Sequence, residues 1–190
     1  DNALKTFEAN HKNAKAMKLD LFNHDNIQEI IKFLENNKVS LDVLIGGPPC
    51  QGFSLKGKKL GLDDPRNYLF NEYLSIVETL QPDVFTIENV KALLSTSAGW
   101  FKNQIIERVH SLGYHVSYGI LNASTFGVPQ ARERAIFLCC KEKEIGLPIG
   151  TSSIVTVKDA IGDLSYLDSG DGAFEQDYLY EPTSEYQKER

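Results

Sequence analysis

The run Leu41-Asp42-Val43-Leu44-Ile45, leading into Gly46-Gly47-Pro48-Pro49-Cys50, constrains this chain more than any other stretch. Its apolar residues predict a short buried strand bounded by turn residues. Two glycines followed by two prolines can continue neither strand nor helix, so the backbone must turn tightly there. One cysteine is thereby held just past the carboxyl end of a strand, the edge at which open α/β sheets carry their ligands.

The flanking sequence supplies a sheet for that strand to join. Apolar periodicity predicts helices over 3–10, over 26–37 with Asn26 or Asp25 as cap, from Asn67 to Leu80, and over 100–111 with a stop at Gly113. Further short strands are expected over 16–21, 84–87, 114–121 and 134–140. This alternation predicts an α/β fold with a mostly parallel sheet and helices on both faces. The last two strands have no helix between them, so an antiparallel hairpin is expected at one edge. After Lys141 the pattern weakens, and little regular structure is expected over 162–190.

Composition narrows the class. The length of 190 residues fits one domain, or one domain and the start of another. No apolar run approaches the roughly 20 residues of a membrane span. The three cysteines are Cys50 and the adjacent pair Cys139 and Cys140, which is no disulfide framework and points to a reducing interior. The adjacent pair lies in an apolar run and reads as buried structural thiols. A net charge of −6 argues against nucleic-acid binding by bulk electrostatics, leaving only the local cluster Lys56, Lys58 and Lys59. His11, His24, His110 and His115 show no metal-ligand spacing, so no metal is expected. The chain opens without methionine in what reads as mid-helix, and is expected to be a fragment.

Three polar groups follow three strand-like runs: Asp20, Cys50 and Glu88. Taken singly, they read as a turn residue, a small buried hydrophobe and a surface carboxylate. Their joint placement at the ligand edge of one sheet makes a site the better account. Cys50 has no neighbouring histidine to activate it. Arg132 and Arg134, at i and i+2, project to the same side if extended and could favour a thiolate; a salt-bridged strand end is the alternative.

Gly47-Pro48-Pro49-Cys50-Gln51-Gly52-Phe53-Ser54, Glu88-Asn89-Val90 and Gln130-Ala131-Arg132-Glu133-Arg134, in that order, resemble three motifs of the cytosine-5 DNA methyltransferase family of bacterial restriction–modification systems. Leu19-Asp20-Leu21 and Asp64-Pro65-Arg66-Asn67-Tyr68-Leu69-Phe70 are weaker matches. The similarity runs from Ala3 to about Leu164.

The resemblance implies a Rossmann-like class I methyltransferase fold, incomplete at both ends. A catalytic domain over 1–163 would lack its cofactor loop, and 164–190 would lead towards an absent target-recognition domain. The implied activity is transfer of a methyl group from S-adenosylmethionine to carbon 5 of cytosine in duplex DNA. Cys50 would add to ring carbon 6, Glu88 would donate at ring nitrogen 3, Arg134 would hold the cytosine carbonyl oxygen, and Arg132 would support the thiolate. Asp20, Leu21, Pro49 and Leu69 would hold the cofactor. Gln51, Ser54 and Asn89 would meet the substrate, with the base flipped out of its stack and the lysine cluster on phosphates. A monomer in the bacterial cytoplasm is implied, with a restriction endonuclease acting on the same site. Two readings stay open beside this one. They are the same chemistry on transfer RNA, and a non-catalytic DNA-binding relative, against which intact Cys50, Glu88, Arg132 and Arg134 argue.

Overall fold

The computed structural model describes residues 2–21, 23–49, 69–151, 153–173 and 175–189. Its elements are α1 (Asn2–Asn10), α2 (His24–Asn37), β1 (Val43–Gly46), α3 (Leu69–Leu80), β2 (Val84–Val90), α4 (Trp100–Ser111), β3 (His115–Asn122), β4 (Glu133–Cys140), α5 (Val157–Ile161) and α6 (Glu185–Lys188). Short 3-10 turns follow β2, β3 and α5.

Local chemistry sets the boundaries. The cap of α2 is Asn23, whose side-chain oxygen accepts from the Asp25 amide at 3.0 Å, rather than Asn26 or Asp25. The strand expected over 16–21 does not form. There the Asp20 carbonyl closes the turn into α2 instead, accepting from the Asn23 amide at 3.1 Å and from Asn26 Nδ2 at 2.8 Å. Helix α4 ends as expected, with Gly113 at φ +84°, a left-handed conformation that costs glycine little.

The sheet order is β1-β2-β4-β3. Only β1–β2 is parallel among the described strands; β4 runs antiparallel to both β2 and β3, so the expected parallel majority does not hold there. The hairpin is as expected, and its insertion order follows from side chains. Ala135, Phe137 and Cys139 of β4 are each fully buried, which suits an interior strand, whereas Tyr118 and Ile120 of β3 are half exposed at the edge.

One face of the sheet carries the core. Phe85 and Ile87 of β2 and Phe137 and Cys139 of β4 pack against Phe70, Leu74 and Val77 of α3 and Phe101, Ile105 and Val109 of α4. Each such side chain contributes about 1.5–3 kcal/mol by leaving water. The outer face of β1 is open, with Val43 and Ile45 exposed. Helix α1 has no buried residue, and among the described residues no helix is long and apolar enough to cross a membrane.

Tyr114 closes the end of this core. Its ring meets Phe85 edge-on at 4.9 Å, and its hydroxyl donates to the Pro82 carbonyl at 2.6 Å. Burial, with the nearby Asp83 charge, pushes its phenol up to about 12. The unfolded chain then ionises first, so stability is full below about pH 10 and falls as pH rises from 10 to 12. Urea midpoints at pH 8 and 11 should diverge for the native protein and converge partly in Tyr114→Phe.

Residues beyond Lys141 carry more structure than expected. Helix α5 opens on a capping box between Thr156 and Asp159, and α6 on one between Ser184 and Gln187. Helix α6 returns onto α5, where Ser184 Oγ donates to the Asp159 carbonyl and Gln187 Nε2 to the Lys158 carbonyl at 3.1 Å.

Candidate active site

Topology brings the motif residues together. Strands β1 and β2 are parallel, with Gly46 opposite Ile87, so their carboxyl ends lie side by side. Strand β4 runs the other way, and its first residues therefore meet the end of β2, with Arg134 opposite Val90. Pro48 and Pro49, Glu88 and Asn89, and Arg134 thus share one edge. Cys50, Gln51, Ser54 and the lysine cluster lie outside the described residues, as does most of the 64–70 match.

The centre of this edge is an ion pair. Glu88 and Arg134 stand on the same face of the sheet, and Arg134 Nε lies 2.7 Å from Glu88 Oε1. Arg134 is further steadied by Nη1 donating to the Glu133 carbonyl at 2.8 Å. The side chains are 26% and 42% exposed, so solvent screening limits the pair to about 1 kcal/mol of stability or less. Its main consequence is geometric: two polar groups are aimed together at the rim. Glu133 pairs with Lys91 at 2.5 Å, a second link between the end of β2 and the start of β4.

Asn89 alternates to the buried face and is only 8% exposed. Its Nδ2 donates to the Pro48 carbonyl at 2.8 Å, and its Oδ1 accepts from the Val90 amide at 2.9 Å. The amide therefore holds main chain two residues before Cys50, instead of projecting from the rim as a substrate contact would. Gly47 passes so near the glutamate that a Cβ there would lie 3.2 Å from Glu88 Oε2. Asn89→Ala should destabilise the protein by about 1–3 kcal/mol, because the buried partners are left unpaired. Asn89→Asp should cost at least as much, since an acceptor would replace the donor facing Pro48. Urea unfolding of both variants checks this.

Arg132 stands apart from the ion pair. Its amide donates to Asn122 Oδ1 at 3.2 Å, its carbonyl accepts from the Ala123 amide at 2.9 Å, and its side chain is exposed. Asn122 thereby pins the link between β3 and β4 from both ends, also accepting from the Ser124 amide.

Leu21, Pro49 and Leu69 line one cavity of about 360 Å³ between α2, β1 and α3, walled further by Leu34, Tyr73 and Ile76. Its lining is almost wholly apolar, and Asp20 adjoins Leu21 in the chain. That combination fits the flat, amphipathic adenine end of a nucleoside cofactor. Among the described residues no group of three or more His, Cys, Asp or Glu is placed to hold a metal. Cys139 and Cys140 are buried, and burial pushes the Cys139 thiol up to about 12, so it is unreactive at neutral pH.

The fold and this edge are those of a methyltransferase by comparison with known proteins, which also give the family. The profile described as C-5 cytosine-specific DNA methylase matches residues 1–183, and the chain belongs to that family. It is 40% identical over 174 residues to the type II methyltransferase M1.HphI of Haemophilus parahaemolyticus, covering 88% of this chain and 45% of the relative. It is 38% identical over 159 residues to the type II methyltransferase M.DdeI of Desulfomicrobium norvegicum, covering 78% and 38%. A crystal structure of an E. coli prophage-encoded protein assigned as a DNA modification methyltransferase superposes with TM-score 0.66 at 31% identity, covering 84% of this chain and 44% of that one. The chain thus spans less than half the length of each of these proteins.

Proposed function

We propose that this chain is part of an enzyme that transfers a methyl group from S-adenosylmethionine to carbon 5 of cytosine in duplex DNA, through a covalent cysteine adduct. The observation that carries the reading is the Glu88–Arg134 pair at the strand edge where Asn89 grips Pro48, two residues before Cys50. Membership of the cytosine-specific family supports it.

Cytosine carbon 5 is a weak nucleophile. Addition of the Cys50 thiolate to carbon 6 makes the ring enamine-like, and Glu88, ion-paired with Arg134 until the base enters, takes up a proton and shares it with nitrogen 3 as that charge develops. Arg134, already fixed by Glu88 and the Glu133 carbonyl, stabilises the cytosine carbonyl oxygen. Arg132 supports the thiolate electrostatically. Asp20, Leu21, Pro49 and Leu69 would hold S-adenosylmethionine, which would supply the electrophilic methyl group to carbon 5 as its sulfonium becomes a neutral thioether. Loss of the carbon 5 proton to water, with expulsion of the Cys50 thiolate from carbon 6, then restores the ring.

Chemistry on a base requires its removal from the stack, at a few kcal/mol. Gln51 fills the vacated space, and Ser54 and the nearby lysines meet backbone phosphate. Residues 1–163 form the catalytic domain, and 164–190 begin the connection to a target-recognition region. The protein acts as a monomer in the bacterial cytoplasm, beside a restriction endonuclease directed at the same site.

The test is duplex DNA carrying 5-fluorocytosine, incubated with cofactor and the full-length protein. Fluorine blocks the final elimination, so a denaturation-stable protein–DNA adduct is expected. An adduct with substituted RNA alone would assign the chemistry to RNA. None with either would make the protein a non-catalytic relative.

A further inference from the structure

Tyr73 lies on the face of α3 that periodicity marks as core, and it is buried there. Its hydroxyl does something no core phenylalanine could. Oη lies 2.8 Å from the carbonyl oxygen of Thr86 on β2 and 3.2 Å from that of Leu44 on β1, a shared hydrogen bond to both strands. These two strands end in the site, at Gly46 and at Glu88-Asn89-Val90.

A helix side chain reaches the main chain of a sheet only where an intervening side chain is missing. Gly46 provides that gap. Its partner Ile87 is fully buried on the helix-covered face, and a Cβ at Gly46 would lie 2.1 Å from Cε2 and 2.6 Å from Cζ of Tyr73. The ring also walls the apolar cavity. Burial raises the phenol pKa, so the hydroxyl remains a donor at neutral pH.

We propose that Tyr73 is a positioning residue for methyl transfer. Through the gap at Gly46 it ties β1 to β2 and sets the spacing between the main chain that carries Pro48 and the carboxylate of Glu88. The inference rests on the methyltransferase reading above. Slack is small at this point, because Gly47 already sits against Glu88. Misplacement by about 1 Å can cost a reaction as much as 10²-fold.

The test measures the rate of adduct formation on 5-fluorocytosine duplex DNA by the full-length protein, together with melting temperature and dissociation constants for S-adenosylmethionine and DNA. Tyr73→Phe keeps the ring and removes the tie. It should slow adduct formation by roughly tenfold at saturating S-adenosylmethionine while the dissociation constant for DNA stays near native. Gly46→Ala should slow adduct formation as well, at saturating S-adenosylmethionine and with the hydroxyl present, because the added methyl displaces the ring. Val109→Ala, a change in the same buried cluster but on α4, should lower the melting temperature without slowing the adduct. A native rate in Tyr73→Phe overturns the proposal, as does an equal slowing in Val109→Ala at a comparable loss of melting temperature. If Tyr73→Phe fails to fold, a native rate in Gly46→Ala overturns it equally. Absence of any adduct from the native protein would instead overturn the methyltransferase reading itself.

Discussion

Glu88→Gln is expected to slow methyl transfer to cytosine by roughly 10²–10⁴-fold, the usual loss when a positioned proton donor is removed. Glutamine keeps the shape of the side chain and an oxygen able to accept from Arg134 Nε, now 2.7 Å from the carboxylate. It cannot pass a proton to ring nitrogen 3. Because the pair is half exposed, the lost charge should cost about 1 kcal/mol of stability at most. A single-turnover assay alongside a melting curve separates the two effects. If Glu88 served only as a strut for Arg134, the rate would fall little and in step with stability.

Cys50→Ser should abolish both the denaturation-stable adduct and detectable methylation. A serine hydroxyl is not ionised at neutral pH without a strong base beside it, and no histidine adjoins Cys50 in the chain. The other two cysteines cannot substitute. Cys139 is fully buried with its thiol pushed up to about 12, and Cys140 is buried beside it in β4. Peptide mapping of the trapped native adduct should therefore find DNA on Cys50 alone. DNA on any other residue would remove Cys50 from the nucleophile's role.

Much of this architecture was readable in advance because it rests on local periodicity. Helix α4 spans Trp100–Ser111 as its apolar spacing requires, and the strands from Val84 and to Cys140 fall where β-branched and aromatic residues cluster. Some misses were also local and avoidable. The capping boxes Thr156 to Asp159 and Ser184 to Gln187 mark α5 and α6 in the sequence itself. Other features depend on three-dimensional order and leave no linear trace. Nothing in the residues of β3 and β4 says directly that the second of them docks against β2, yet the contact between Arg134 and Glu88 exists only because it does. Asn89 reads as one letter of a motif, and only the sheet alternation turns its amide inward to Pro48. Tyr73 is the extreme case, since a buried aromatic at helical spacing reads as packing and its hydroxyl carries no periodic signal.

The position of β4 between β2 and β3 also orders events during synthesis. Lys91 and Glu133, which join the end of β2 to the start of β4, are 42 positions apart in the chain. Until β4 has been synthesised, β2 lacks the partner for the edge destined for it. Its Phe85 and Ile87, fully buried in the native protein, then lack their partners Phe137 and Cys139. Non-local pairings of this kind form slowly, and an open apolar edge is a template for association with other nascent chains. The edge that joins Glu88 to Arg134 is thus completed only once β4 is available to pair with β2.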